Sequence, residues 1–486
     1  MQEALLKVVA TINSYLTDYV LIFLLVGVGL YFTVRTKFVQ VRCFGEGMKN
    51  VFGKLSLKGG SQKGGLSSFQ ALATAIAAQV GTGNIVGACG AILIGGPGAI
   101  FWMWIIAFLG MATIYAEATL AQKTKKVNED GTVEGGPVYY IKTAFTGKFG
   151  KFLAVFFAVA TMLALGFMGS MVQSNSIAGT MGKAFSIDES FYWIVGIVVA
   201  ALAAVVFLGG VNRLASVTEK MVPVMALLYI VGSLVVIFAR IQYLPEAFGM
   251  IFKYAFNANA LIGGGIGYAL KSAISQGAKR GLFSNEAGMG STPHAHAQAN
   301  VKTAHEQGTT AMIGVFIDTF IVLTMTALVV ISTLYAGGGP LGNPATYTMA
   351  GALAAFPKAN LAQMAFGKVF GDTFGSIFVA ICLFFFAFST ILSWNFFGKI
   401  NFQYLFGKKY TVVYTAIAIV FVFLGSIFSN DLVWELTDFF NYLMVLPNVI
   451  ALVALGSLVV TAVKEGKAEK AEAALSLKAA KENTEE

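Results

Sequence analysis

Long apolar segments recur along almost the whole chain, and they constrain the fold more than any other feature. A segment of about 20 apolar residues can cross a bilayer as an α-helix, with all of its backbone hydrogen bonds made internally. Of the 486 residues, 57% are hydrophobic and 12% are charged, about half the charged fraction of a soluble domain. We therefore predict an all-α polytopic membrane protein with 11 transmembrane helices. The segments lie at 16–34, 66–94, 97–121, 151–180, 190–209, 219–240, 258–290, 308–336, 370–396, 411–428 and 440–462.

Basic residues are concentrated in alternate connections between these segments. Lysine and arginine are frequent at 35–63, 122–151 and 399–409, whereas residues 429–439 contain three acidic residues and no basic one. The positive-inside rule then places the N-terminus outside and the C-terminus in the cytoplasm. The net charge of +9 thus indicates topology in a plasma membrane, and no nucleic-acid partner is expected.

The ten segments after the first divide into two sets of five, at 66–240 and 258–463. Because five is an odd number of crossings, the second set enters the membrane from the opposite face. Each set opens with a glycine-interrupted segment, Gly81-Thr82-Gly83-Asn84 in the first and residues 263–265 or 277–281 in the second. Paired breaks predict an inverted repeat with a site near the midplane, although glycine also permits close helix packing. Three further parts complete the division: an N-terminal helix and basic inner-surface segment at 1–65, an outer interfacial connector at 241–257 and a charged cytoplasmic tail at 464–486.

The break at Gly81 exposes backbone and side-chain oxygens at a depth where water is scarce. Hard, uncharged oxygen donors suit a sodium ion, and the start of the second half-helix near Asn84 suits a carboxylate. The alternative is a close helix crossing at small residues. The candidate donors are the carbonyls or side chains of Ala77, Gln79, Val80, Thr82 and Asn84.

The ninth segment carries a second group of oxygens. Ser389, Thr390 and the carbonyl of Phe386 lie along one helical stripe, and Trp394 shares the face of Thr390. With the carbonyls of the first break they predict an oxygen cage beside a bulky wall that admits only a small side chain. Hydroxyls that bond back to the preceding turn are the structural alternative.

Other polar residues in apolar segments also call for an interpretation. Gln173 and Asn175 should face the bundle interior, where they bond a ligand or a neighbouring helix. Arg280 and Glu286 are predicted to pair as a gate at the inner face. Lys271 and Asp318 both fall near the bilayer centre, where a mutual ion pair or a functional role would explain them. Glu117 is expected to pair with a lysine, and the three histidines are interpreted as solvated loop residues.

Several motifs together resemble the alanine or glycine:cation symporter family of the amino acid-polyamine-cation superfamily. They occupy residues 81–85, 95–104, 135–140, 280–288 and 316–319, so the resemblance covers nearly the whole chain. It implies sodium-coupled uptake of L-alanine, D-alanine or glycine, with no cofactor besides the co-transported sodium ion. It also implies a five-plus-five inverted-repeat core like that of the neurotransmitter:sodium symporters, preceded by one extra helix.

The resemblance assigns roles by position. Sodium would be held by Ala77, Val80, Phe386, Ser389 and Thr390, with Asn84 at the position of a second sodium-site asparagine. The substrate would contact Gln79, Thr82, Gly83, Thr390 and Trp394, joined by Gln173, Asn175 and Gln276. A proton-coupled symporter and an ion channel are the alternatives. An enzyme is not expected because no histidine lies at membrane depth, and the oligomeric state is left open.

Overall fold

The structure, a computed structural model, describes residues 2–53, 65–256, 266–342, 357–358 and 360–485. Nearly all of its regular structure is helical, and the longer helices are numbered here in chain order. They are α1 Glu3–Arg35, α2 Phe44–Phe52, α3 Ser68–Gln79, α4 Gly83–Gly95, α5 Ala99–Thr124, α6 Gly147–Phe185, α7 Glu189–Phe207, α8 Gly210–Ala239, α9 Leu244–Phe256, α10 Ile266–Asn285, α11 Ala304–Tyr335, α12 Leu361–Phe370, α13 Asp372–Phe406, α14 Lys408–Gly425, α15 Asn430–Ala454 and α16 Gly456–Glu485.

Nine helices in the described residues are long and apolar enough to cross a membrane. The bent pair of α3 and α4 makes a tenth span if it is counted as one. The predicted seventh segment contains α10, but this helix carries Lys271, Lys279 and Arg280 and is not among the nine. The multi-pass α-helical architecture is therefore confirmed, and the count of 11 stays a prediction.

The first predicted break is present between α3 and α4. Helix α3 begins at a capping box in which Ser67 and Gln70 satisfy each other's backbone N–H groups. It ends where Val80 leaves the helical region with ψ of 86°, and α4 restarts at Gly83 after a bend of 44°. The Asn84 carboxamide oxygen accepts the freed Gly81 N–H at 3.0 Å. The side chain of the break thus satisfies part of its own unwound backbone.

The second break lies at residues 286–292, which follow α10. Residues 277–281 are helical, and residues 263–265 lie outside the described residues. Gly277 instead lets α10 cross α5 closely, because a methyl group there would meet Trp102. The chain unwinds where Glu286, Gly288 and Gly290 have φ of 59°, 91° and 80°. Positive φ values are incompatible with a right-handed helix, so the helix ends here, and glycine adopts such values without strain.

A buried carboxylate on α5 stabilises this second break. Glu117 accepts the N–H groups of Gly288 and Gly290 at 3.1 and 2.9 Å, and the Asn448 amide at 2.7 Å. The expectation that Glu117 pairs with a lysine is therefore wrong. Its side chain replaces the backbone partners that the unwound segment has lost.

A β-hairpin and several helices cover the end of the bundle that is predicted to face the cytoplasm. Strands β1 Lys126–Val127 and β2 Val133–Glu134 form an antiparallel hairpin after α5. Helix α2 packs against the start of α11, and α16 continues the chain beyond α15. Shorter helices lie at Val39–Arg42, Pro137–Ala144 and Pro293–Ala297.

Candidate functional site

The predicted oxygen cage forms where α13 passes the first break. The Thr390 hydroxyl lies 2.9 Å from the Ala77 carbonyl oxygen and 3.0 Å from that of Phe386. The Ser389 hydroxyl lies 3.3 and 2.8 Å from the same two oxygens. Gly81 makes this approach feasible, because any side chain there would overlap the Thr390 hydroxyl. Four of the five predicted sodium donors therefore share one buried location. The fifth, Val80, is also buried and lies three residues after Ala77.

Unpartnered polar atoms collect beside this cage. The Gln173 carboxamide oxygen accepts the Thr82 N–H at 3.2 Å, which attaches α6 to the break. Within the described part of the chain, the Thr82 hydroxyl and the Gln173 amide nitrogen make no hydrogen bond, and both are buried. Buried polar groups are nearly always satisfied, so these two atoms favour a polar ligand.

Trp394 forms a wall of the same region. It is 1% exposed, and its ring contacts Gly169. A Cβ atom at residue 169 would overlap two of the ring carbons, so no side chain fits there. Phe283 meets it edge to face with ring centroids 5.6 Å apart. Its indole N–H donates to the Glu286 carboxylate, which also accepts from the Ser291 hydroxyl. Glu286 of the second break therefore fixes the orientation of the Trp394 ring.

Asn84 belongs to a second polar cluster. Its amide donates to Asp318 Oδ1 at 2.6 Å. The same carboxylate accepts from the hydroxyls of Ser284, at 2.9 Å, and Thr319, at 2.7 Å. This cluster joins the first break to the end of α10 and to α11. Asp318 does not pair with Lys271, which instead lies 2.7 Å from Asp18.

Arg280 has a different partner from the predicted one. Its guanidinium lies 3.3 Å from the Asp438 carboxylate of α15 and over the Trp434 ring, 4.5 Å from its centroid. Lys279 lies 2.9 Å from the same carboxylate. The predicted Arg280–Glu286 pair is not formed, because the backbone turns between the two residues and Glu286 is engaged by Trp394. The ion pairs lie beside residues 429–439, which are predicted to face outside, and not at the inner face where the Arg280 gate was expected.

Three predicted substrate contacts are directed elsewhere. The Gln79 amide donates to the Asn285 carbonyl at 2.8 Å and so joins the two breaks. The Asn175 amide donates to the carbonyls of Gly425 and Phe428 at 2.9 Å, where it caps the end of α14. Gln276 lines an outer cavity of about 290 Å³. The spacing of residues in the sequence does not predict the partners of Gln79 and Asn175 or the position of Gln276.

The histidines are also not placed as predicted. His294, His296 and His305 are all at least 97% buried, so they are not solvated loop residues. His294 lies between the rings of Phe157 and Phe397 and bonds the Asn401 amide at 2.8 Å. His296 bonds Gln307, also at 2.8 Å. Because residues 286–299 fold back into the bundle, the predicted loop is part of the core.

A larger cavity opens at the inner end of the bundle. It has a volume of about 620 Å³ and lies between the β-hairpin, the start of α8 and the end of α13. Lys399, Gln403 and Lys408 are among its polar lining residues. A smaller void, lined by Leu392 and Asn395, lies beside this cavity along α13.

A broken helix and an unwound segment that meet at a buried polar site are the arrangement expected of a multi-pass membrane transporter. The sequence model described as the sodium:alanine symporter family matches residues 2–479. The chain belongs to that family.

Curated relatives span nearly the same length. The sodium/alanine symporter AgcS of Methanococcus maripaludis is 39% identical over 94% of this chain and 96% of its own. YrbD of Bacillus subtilis, named for sodium/proton-dependent alanine carriage, is 39% identical over 95% and 92%. The amino-acid carrier protein AlsT of the same species is 37% identical over 90% and 87%.

Solved structures show the same fold at low sequence identity. MhsT in complex with L-phenylalanine superposes with a TM-score of 0.56 at 15% identity, over 83% of this chain and 100% of that one. The Eremococcus coleocola manganese transporter, bound to an aromatic bis-isothiourea compound, gives 0.52 at 13% identity over 81% and 80%. The predicted fold class, an all-α membrane protein with a core like that of these transporters, is confirmed. Its division into an N-terminal helix and two inverted sets of five helices stays a prediction.

Proposed function

We propose that this protein carries sodium and a small neutral amino acid together into the cell by alternating access. L-Alanine is the expected substrate, with D-alanine and glycine as further candidates. Family membership and the name of AgcS support alanine and sodium. The observation that carries the proposal is the convergence of the Ser389 and Thr390 hydroxyls on the Ala77 and Phe386 carbonyls at a helix break.

Sodium binds in this oxygen cage, with the Val80 carbonyl as a fifth donor. The cage has no formal charge, so it matches a singly charged hard cation and leaves the balancing charge to the substrate. One sodium ion that moves down a potential of about 100 mV releases about 2.3 kcal/mol. A sodium concentration gradient adds to this amount, which is sufficient for more than tenfold accumulation of the amino acid, since about 1.4 kcal/mol corresponds to a factor of ten.

The amino acid binds between the two breaks. Its carboxylate faces the backbone at Gly83, the start of α4, where the helix dipole favours a negative charge. The Thr82 hydroxyl and the Gln173 amide supply side-chain contacts. Trp394 and Phe283 limit the space for the substrate side chain. Gln79 and Asn175 are left out of this site because their amides bond elsewhere, and Gln276 is left out because it lines the outer cavity.

A second sodium ion fits the Asn84 cluster. The Asp318 carboxylate and the hydroxyls of Ser284 and Thr319 bring three oxygen-bearing side chains together at the break, and the Asn84 amide N–H donates to the same carboxylate. A carboxylate buried among hydroxyls and amides favours a cation more strongly than neutral donors do.

This second site has its own test. Asp318→Asn should lower the Hill coefficient for sodium in alanine uptake toward one, while the response to the first sodium persists. Ser170→Ala, a change of a buried hydroxyl that bonds its own helix, is the control. An unchanged Hill coefficient in Asp318→Asn would remove the cluster from the coupling mechanism.

Alternating access uses the two ends of the bundle differently. The Arg280–Asp438 pair and the contact of Phe283 with Trp434, 4.7 Å between centroids, close the outer end. The cavity of about 620 Å³ provides the inner exit. This assignment carries with it the proposed orientation, with the N-terminus outside and the C-terminus in the cytoplasm.

Uptake into proteoliposomes tests the function. Purified protein should accumulate labelled L-alanine when a sodium gradient is imposed, and competition should rank D-alanine and glycine as substrates. Accumulation driven by a pH gradient without sodium would favour the proton-coupled alternative that the name of YrbD includes. Non-saturable conduction proportional to voltage would identify a channel instead and would overturn the proposal.

A further inference from the structure

A largely buried cluster at the inner end of the bundle shares no residue with the proposed transport site. Cys43 precedes α2, Glu46 lies on α2, and His305 lies in the first turn of α11. One ligand atom of each residue lies within 4.8 Å of the other two. Cys43 is 7% exposed and His305 is 3% exposed. Residues that are separate in sequence therefore converge in one shielded location.

The distance between the imidazole nitrogen and the carboxylate oxygen agrees with metal coordination. Nitrogen and oxygen ligands of a tetrahedral zinc ion lie about 2.0–2.1 Å from the metal and hence roughly 3.3 Å from each other. His305 Nε2 and Glu46 Oε2 are 3.2 Å apart. A thiolate, an imidazole and a carboxylate are also the ligand types that zinc prefers.

The outer contacts of the histidine support the same interpretation. Its Nδ1 lies 2.6 Å from the buried Tyr115 hydroxyl. When Nδ1 carries the proton and donates it to that oxygen, Nε2 presents its lone pair to the cluster. Metal-binding histidines almost always have their other ring nitrogen held in this way.

The C-terminal helix α16 closes the cluster from the cytoplasmic side. Gly466 lies directly on the His305 ring, where a side chain would overlap it. Lys470 forms an ion pair with Glu46, and Glu465 forms one with Lys123 at 2.9 Å. Lys470 thus occupies a carboxylate oxygen that a metal ion would need, and its side chain is 55% exposed and free to turn away.

We propose that Cys43, Glu46 and His305 form a binding site for a thiophilic divalent cation, zinc by preference. Binding replaces Lys470 at Glu46, and this exchange loosens α16 from the inner end of the bundle. The site is independent of the sodium and amino-acid sites, so it stands or fails apart from the proposed function.

Cobalt(II) provides a direct probe, since a thiolate–cobalt bond has a charge-transfer absorption band in the near ultraviolet. Chelator-stripped, purified full-length protein should bind about one cobalt ion tightly with this band, in keeping with a single three-ligand site. Cys43→Ser should abolish the band. Cys89→Ser and Cys382→Ser are matched controls, because both cysteines are buried elsewhere, and each should keep it.

A second variant decides the matter if Cys43→Ser does not fold. Lys470→Ala removes the competing cation at an exposed position and should tighten cobalt binding roughly twofold to fivefold, as expected for the loss of a surface ion pair. Lys467→Ala on the same helix should leave the affinity unchanged. A wild type without the band, a band that persists in Cys43→Ser, or equal affinities in the two lysine variants would overturn the proposal and leave a hydrogen-bonded cluster.

Discussion

Thr390 is the residue on which sodium coupling should depend most directly. Its hydroxyl lies within 3.0 Å of carbonyls from both sides of the cage. Thr390→Ala removes one of the oxygen ligands of the sodium ion. We expect a loss of about 1.4 kcal/mol in the free energy of sodium binding, which corresponds to a tenfold lower affinity. We expect the sodium concentration for half-maximal alanine uptake to rise about tenfold. Thr390→Ser keeps the hydroxyl and should retain most of the sodium affinity.

Sodium titration of uptake in proteoliposomes measures this effect. Equal amounts of folded protein in the two variants would exclude a simple loss of yield. An unaltered sodium response in Thr390→Ala would mean that the cage lies elsewhere.

Trp394 should control the size of the accepted side chain. Its ring occupies the space between α6 and the second break, and Phe283 packs against it. Trp394→Ala should allow valine and leucine to compete with alanine, because the deleted ring leaves room for a branched side chain. Trp394→Phe keeps most of the ring volume and should keep the selectivity for small substrates.

Competition for labelled alanine uptake by a series of amino acids provides the measurement. If Trp394→Ala and wild type discriminate equally among alanine, valine and leucine, the tryptophan is not part of the binding site.

The residue types of the cage could be predicted from the sequence, but several partners could not. Ser389, Thr390 and Phe386 share one helical stripe, so local periodicity is enough to group them. Closeness in sequence predicts that Arg280 pairs with Glu286. Its actual partner, Asp438, lies 158 residues further along the chain, and only the tertiary fold brings the two side chains together.

At the scale of elements, the first break depends on the absence of a side chain at Gly81. A methyl group there would overlap the Thr390 hydroxyl. We expect Gly81→Ala to abolish uptake and to destabilise the fold by about 1–3 kcal/mol, the usual effect of overpacking a core. Gly179→Ala on α6 is the control, since no atom lies within 4 Å of the added methyl group.

Thermal unfolding in detergent and alanine uptake should be measured together for this pair. Gly179→Ala should match or slightly exceed the wild-type stability, because alanine favours a helix. A fully active Gly81→Ala would show that α3 and α13 are not in contact during transport.

The two breaks differed in how well the sequence indicated them. Gly81-Thr82-Gly83-Asn84 interrupts an apolar run and carries the asparagine that satisfies its own backbone, so the signal is local. For the second break, the sequence indicates glycine-rich stretches before or inside α10. It lies instead at Glu286, where Glu117 from another helix supplies the missing acceptors. No pattern within residues 258–290 contains that information.

For the whole molecule, closure of the outer end should depend on Asp438. This carboxylate is 1% exposed and faces both Lys279 and Arg280. Removal of one partner from a buried ion pair costs about 3 kcal/mol or more. Asp438→Asn should therefore disfavour the outer-closed conformation and reduce uptake at least about tenfold, with alanine binding largely retained.

Asp431→Asn is a matched control on the same helix. Asp431 is 65% exposed and pairs with Lys358, and such surface pairs contribute little. Binding by purified protein and uptake by proteoliposomes should be compared for both variants. Equal uptake by Asp438→Asn and wild type would show that the outer end closes without this pair.

The signs of charge at the outer end are segregated between two helices. In the cluster around Asp438, the cations Lys279 and Arg280 belong to α10, and the anions Glu435 and Asp438 belong to α15. Attraction between the helices therefore persists even if they slide past each other by a turn. Dissolved ions weaken that attraction while the pair is apart and hydrated, but they hardly reach it once it is buried. Salinity of the medium should thus alter how quickly the outer end shuts far more than how firmly it stays shut.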